Sequence, residues 1–180
     1  MEKEELLVHY WQLPENIFIS LKPEFHKNFC MLIQQKINNY HKNCFHKVLN
    51  CPKWHAQRLF NGDIRFTIKE LEKLRELVGF NSLDVEKEIV KIGSHESGTI
   101  IKNPNLPFQM KDIVYVASHL MFDGSYRDKR GCYFYTYEPS LVEYHKKRLS
   151  IFGDTPYKLG NNDNHFYFSY TIGYIAKNFL

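Results

Sequence analysis

Val116-Ala117-Ser118-His119-Leu120-Met121-Phe122-Asp123-Gly124-Ser125 closes an apolar run that begins near Phe108. Between Gln109 and Phe122 there is no Pro and no Gly. A run of that length without a breaker favours a helix over a short buried strand. Ile113, Val114, Val116, Ala117, Leu120, Met121 and Phe122 put apolar groups on nearly every face, so the pattern predicts a helix buried on all sides. The run stops at Asp123-Gly124. Gly supplies a left-handed C-cap, whereas an acid at the helix C-terminus opposes the dipole. A carboxylate so placed, beside buried residues, calls for a nearby cation, and a divalent metal is the obvious candidate.

Downstream the pattern changes. Tyr126 to Tyr137 reads as a β-hairpin turning through Asp128-Lys129-Arg130-Gly131,. Pro139 opens a helix at its first turn. Leu141, Tyr144 or His145, Leu149 and Phe152 form one face of it, and Gly153 ends it,. Two strands, 156–160 and 165–170, flank the polar turn Asn161-Asn162-Asp163-Asn164, and Thr171 to Leu180 reads as a last short helix. The order over 108–180 is α-β-β-α-β-β-α.

The motif and this order resemble the LAGLIDADG homing endonucleases. Asp123-Gly124 falls on that motif's final Asp-Gly and Ala117 on its second residue. Ser118 stands for the first Gly, His119 for a Leu, Met121 for the earlier Asp, and Phe122 for the small residue before the final Asp. Small residues let two helices approach closely, and Phe122 departs from that. The resemblance implies two such helices packed together, from two subunits or two repeats, under a DNA-binding saddle of strands. It implies a Mg²⁺ site held by Asp123 and the backbone carbonyl of Phe122, with metal-assisted phosphodiester hydrolysis. One motif supplies one acid. Dimerisation through residues 113–122, with Ala117, Ser118 and Met121 at the interface, would supply the second; a second repeat in a longer chain is the alternative. Arg127, Lys129 and Arg130 are candidates for phosphate contacts, and Lys158 for a strand-borne Lys that helps activate water. Tyr133, Tyr135 and Tyr137 share one strand face, directed to DNA or to the core.

Charge is uneven along the chain. Residues 22–65 hold eight Lys or Arg against Glu24 and Asp63, whereas 66–96 hold five against seven acids and 108–180 nine against seven. A basic segment beside near-neutral ones suggests a polyanion-binding face. The longest apolar runs fall short of a membrane span. Met1-Glu2-Lys3-Glu4-Glu5 is acidic, unlike a signal peptide,. Cys30, Cys44, Cys51 and Cys132 form no CxxC pair, which fits reduced thiols and a cytoplasmic location.

In the first half, Ile17-Phe18-Ile19 reads as a short strand. Pro23 to Tyr40 reads as a helix burying Phe25, Phe29, Leu32, Ile33 and Ile37. Asn43 to Leu49 and Lys53 to Phe60 read as two short helices about the turn Asn50-Cys51-Pro52. Thr67-Ile68-Lys69-Glu70 is a capping box for a helix carried by Ile68, Leu71, Leu74 and Val78, and Asp84 to Ile92 reads as one more helix. Leu49 to Gly62 is similar to the turn and recognition helix of phage-repressor-like domains. Lys53, Trp54, Gln57 and Arg58 share one helical face, as a helix that reads base edges requires; Gln suits adenine and Arg suits guanine or phosphate. His26, Cys30, His41, Cys44, His46, Cys51 and His55 crowd the same segment, but their spacing matches no common zinc pattern.

The expectation is an α+β protein. A helical helix-turn-helix domain (1–95) and a linker (96–107) precede an αββαββα unit with an antiparallel sheet (108–180). Its leading function is site-specific, Mg²⁺-dependent cleavage of double-stranded DNA by a homodimer. The runner-up is a DNA-binding transcription regulator whose endonuclease fold no longer cuts, a combination that bacterial sporulation regulators resemble in the opposite chain order. A zinc-stapled protein-interaction module is the third.

Overall fold

The computed structural model describes residues 6–38, 45–94, 99–127, 131–136, 138–160 and 164–179. Expectations that rest on Lys129, Arg130, Tyr137, His41 and Cys44 lie outside those residues. The fold is mixed α+β with antiparallel sheets, as its sequence pattern predicts.

β1 (Leu7–Val8) and a 3₁₀ turn at Tyr10–Gln12 lead into β2 (Phe18–Leu21). α1 (Pro23–Asn38) turns Phe29, Ile33 and Ile37 into the core. α2 (Phe45–Leu49), α3 (Lys53–Asn61), β3 (Phe66–Thr67) and α4 (Ile68–Val78) follow. The capping box of α4 is formed: Thr67 N donates to Glu70 Oε2 at 2.8 Å, and Glu70 N donates to Thr67 Oγ1 at 3.2 Å. Tyr10 is fully buried, with its hydroxyl donating to Glu72 and its backbone N–H to Glu86.

Next, the structure departs from expectation. The predicted helix over 84–92 is instead α5 (Ser82–Glu86) followed by β4 (Ile89–Gly93), and the predicted linker carries β5 (Ile100–Lys102). Ile89, Val90 and Ile92 are β-branched, and such residues fit a pleated ladder between two partner strands. The sheet order is β3-β2-β4-β5, antiparallel throughout. The first half is therefore helices on a four-stranded sheet, not a purely helical domain.

β6 (Phe108–Gln109) opens the second half and pairs with β1. Then come α6 (Met110–Phe122), β7 (Gly124–Arg127), β8 (Gly131–Tyr135), α7 (Pro139–Leu149), β9 (Tyr157–Leu159), β10 (His165–Phe168) and α8 (Tyr170–Asn178). From α6 onward this is the α-β-β-α-β-β-α order read from the sequence. The strands form one antiparallel sheet in the order β7-β8-β10-β9.

The halves share one core. Ile92 and Ile101 from the first sheet belong to the same buried cluster as Phe134, Phe166 and Ile172. Ser94 N donates to Thr171 Oγ1 at 3.1 Å and Tyr170 N donates to Thr99 Oγ1 at 2.8 Å, so the β4–β5 hairpin is bonded to the start of α8. Lys102 bridges Asp154, and Asn16 bonds the Tyr174 hydroxyl. The stretch expected to be a free connector is a structural joint.

Candidate nucleic-acid interface

Helix α6 is not buried on all sides. Ile113, Val116 and Ala117 face inward, while Val114, Met121 and Phe122 lie exposed, Phe122 at 82%. Of the three residues expected at a dimer interface, Ala117 is misplaced: at 1% exposure it packs within the chain's own core. Ser118 is half-buried, with its hydroxyl bonded back to the Val114 carbonyl at 2.8 Å, and Met121 is exposed. Val114, Ser118 and Met121 recur at helical spacing along one flank. The strand that follows α6 directly, β7, is the first of its sheet among the described residues, and an edge position is where another chain can add.

Asp123 ends α6, with its backbone N–H donating to the His119 carbonyl at 2.9 Å and its own carbonyl accepting from Tyr135 N at 2.7 Å. Its side chain is 68% exposed, and its Oδ2 lies 3.9 Å from His119 Nδ1. This corrects the electrostatic argument from sequence: water and a neighbouring imidazole meet the carboxylate, so the helix dipole does not by itself demand a metal. Gly124 has a steric reason. A Cβ there would stand 2.6 Å from the Tyr133 carbonyl oxygen and 3.1 Å from that of His119. Only glycine lets β7 leave the helix end and pair at once with β8.

His119 is a partly exposed member of a ring cluster beside Asp123. Its ring lies 4.4 Å from Tyr115, 5.4 Å from His145 and 5.4 Å from Phe134. Burial, and next the nearby His119, lower the His145 pKa to about 4. Neutral His145 shares a hydrogen bond at Nδ1 with the Tyr115 hydroxyl, 3.0 Å away. The i, i+4 spacing of His119 and Asp123 was the available signal for this pair. The partners from α7 are tertiary.

The open face of the second sheet answers which way the tyrosines point. Phe134, Phe166 and Phe168 are buried on the helix side. Alternation sends Tyr133, Tyr135, His165 and Tyr167 to the other side, where their rings meet at 4.4 to 5.7 Å; Tyr135 is exposed there, whereas Tyr133 and the His165 ring nitrogens are covered by their neighbours. Ser125, Tyr133, Tyr167 and Lys158 form one row across all four strands. Lys158 is exposed at the far edge of that row. It stands three strand spacings from β7, roughly 14 Å, so one chain does not bring Lys158 to Asp123. Arg127 lies on β7.

The other candidate surface is on α3. Lys53, Trp54, Gln57 and Arg58 are all exposed, Trp54 at 60%. Ala56 and Leu59 anchor the opposite face, and His55 Nε2 lies 2.7 Å from Glu70 Oε1, which ties α3 to the start of α4. The four side chains predicted together are brought together.

No protein-family model, curated protein or solved structure matches this chain. Among the described residues no three His, Cys, Asp or Glu side chains cluster as a metal site. Cys30 is buried, with its thiol pKa pushed up to about 12, and His26 Nε2 lies 2.9 Å from the Leu59 carbonyl. An exposed carboxylate with solvent room fits a hydrated divalent cation, which keeps several waters and needs few protein acids. Among the described residues, no helix is long and apolar enough to cross a membrane.

Proposed function

We propose that this protein binds double-stranded DNA and hydrolyses it at a centre built on Asp123. The observation that carries DNA binding is the joint exposure of Lys53, Trp54, Gln57 and Arg58 on α3. That helix follows α2 across a short turn, in the manner of a helix-turn-helix, and its first turn would enter a major groove. The open aromatic row of the second sheet, with Lys158 at its end, is the second contact surface. The exposed Tyr135 and the half-buried Tyr167 would supply hydroxyl donors to phosphate oxygens, which positions a protein on a duplex without reading sequence.

For hydrolysis, two copies would meet along Val114, Ser118 and Met121, bringing two Asp123 carboxylates to one axis. Asp123 and the Phe122 carbonyl would hold Mg²⁺, which when bound polarises phosphate and acidifies a water. His119 would fix the carboxylate's orientation. Lys158 is reassigned from water activation to phosphate contact, because of its distance. A DNA-binding regulator without cleavage is the second reading. The specific observation favouring it is Phe122, which projects where a partner helix would approach.

The test is cleavage of a plasmid library with and without Mg²⁺, with Asp123→Asn alongside. Discrete cuts that need Mg²⁺ and fall at least a hundredfold in the variant support the nuclease. Site-specific binding without cuts, equal in both proteins, would select the regulator. Absence of salt-sensitive DNA binding would remove both readings.

A further inference from the structure

A cleft of about 1360 Å³ lies away from Asp123, between α1, α3 and the first sheet. Ordinary ligand pockets hold roughly 300–1,000 Å³, so this one is a groove in which a ligand would occupy the floor. That floor is aromatic. Phe45 and Phe60 meet edge to face at 3.9 Å, and His26 lies 5.3 Å from Phe66. Lys27, Lys53 and Lys91 stand exposed around the groove. Among its described lining residues there is no Asp or Glu. In a chain with 24 basic and 20 acidic residues, a lining with several cations and no acid is a marked local bias.

An apolar ring floor under a cationic rim matches a ligand with the reverse polarity: a flat ring joined to an anion. Ring stacking favours the first part, and charge-assisted hydrogen bonds from the rim lysines favour the second. We propose that this cleft binds a free nucleotide, its base against Phe45 and Phe60 and its phosphates toward Lys53 and Lys91. The inference goes beyond DNA binding and does not require it. If α3 does bind DNA, the shared residues Lys53 and Gln57 make nucleotide and DNA compete.

The test is an NMR titration of the full chain with ATP, GTP, CTP and UTP, without divalent metal. Shifts confined to the amides of Phe60, Gly62 and their neighbours are expected for at least one nucleotide. Adenosine or the matching nucleoside alone, and inorganic triphosphate alone, should each bind at least tenfold more weakly. Met31→Glu and Lys91→Glu, both at exposed cleft positions, should weaken binding at least tenfold, and Lys147→Glu, the same charge change elsewhere, should not. The proposal is overturned if no nucleotide binds tighter than about 1 mM. Triphosphate binding as tightly as the nucleotide would also overturn it, as would cleft variants behaving like Lys147→Glu. A single-stranded oligonucleotide displacing the nucleotide at lower concentration would reassign the groove to a nucleic-acid strand.

Discussion

Gly124 shows how one residue joins the helix to the sheet. Its missing side chain leaves room for the Tyr133 carbonyl at the point where β7 begins. Gly124→Ala should destabilise the fold by about 1–3 kcal/mol, the usual cost of overpacking, read as a lower denaturant midpoint. A midpoint unchanged within error would show that the strand can shift freely. Gly173 is a second such place, where a Cβ would fall 2.1 Å from Cys132 Sγ. Asp123-Gly124 marks the helix end in sequence, but Gly124 is not the left-handed cap expected of it: Asp123 is the cap, and Gly124 opens β7 without a positive φ. The ring cluster beside Asp123 is not legible in sequence, because Tyr115, His119, Phe134 and His145 come from three elements. That cluster has a pH consequence. His145 is neutral in the fold, with a pKa near 4 against about 6.5 when unfolded, and burial also lowers the His26 pKa. The unfolded chain then binds more protons between those values, so stability falls as pH drops from about 6.5 toward 4. The His145 share is roughly 1–3 kcal/mol. His145→Gln should flatten the slope of Tm against pH in that window; an unaltered slope would assign the acid loss to other groups.

At the scale of elements, α6 and α4 are read correctly because each is long and bounded by chemistry that acts locally: Gly124 after one, the Thr67–Glu70 box before the other. Residues 84–92 are misread because Val85, Ile89 and Ile92 satisfy a helical spacing, while Ile89, Val90 and Ile92 also suit a strand. The tie is broken by β2 and β5, which lie far away in sequence and offer ladder partners on both sides. The face of β8 was open for the same reason: alternation groups Tyr133 with Tyr135 but does not say which layer covers Phe134. For α3 the proposed role makes a graded prediction. Gln57→Ala should cost about 1–3 kcal/mol on a preferred duplex and relax discrimination at one base. Lys53→Ala should weaken all duplexes alike and reduce the log–log salt slope by about 0.9 if it neutralises one phosphate. Fluorescence anisotropy across a salt series separates the two. Equal losses on every sequence from both substitutions would mean that α3 contacts backbone only.

At the scale of the molecule, the joint between the halves decides how the protein unfolds. A chain cut after residue 95 would lose β5 and with it one partner of β4, leaving Ile92 beside an open edge. It would also lose the bonds from Ser94 to Thr171 and from Asn16 to Tyr174, and the strand that pairs with β1. Those contacts bury apolar surface from both halves in one cluster, and contacts of that kind couple the stability of the parts they join. The full chain should therefore unfold in a single cooperative transition, with coincident loss of far-ultraviolet circular dichroism and of tyrosine and tryptophan signals. The truncated chain should melt at lower temperature and over a broader range than the whole protein. Ser94→Ala with Thr171→Val, which removes the bonds made by the Thr171 hydroxyl to the hairpin and keeps that of Tyr170 N to Thr99, should lower the single transition and leave its cooperativity intact. Two resolved transitions in the unaltered chain, one reproduced by the truncated form at its own temperature, would show instead that the halves are independent and that α3 and the aromatic sheet face are joined only by the covalent chain.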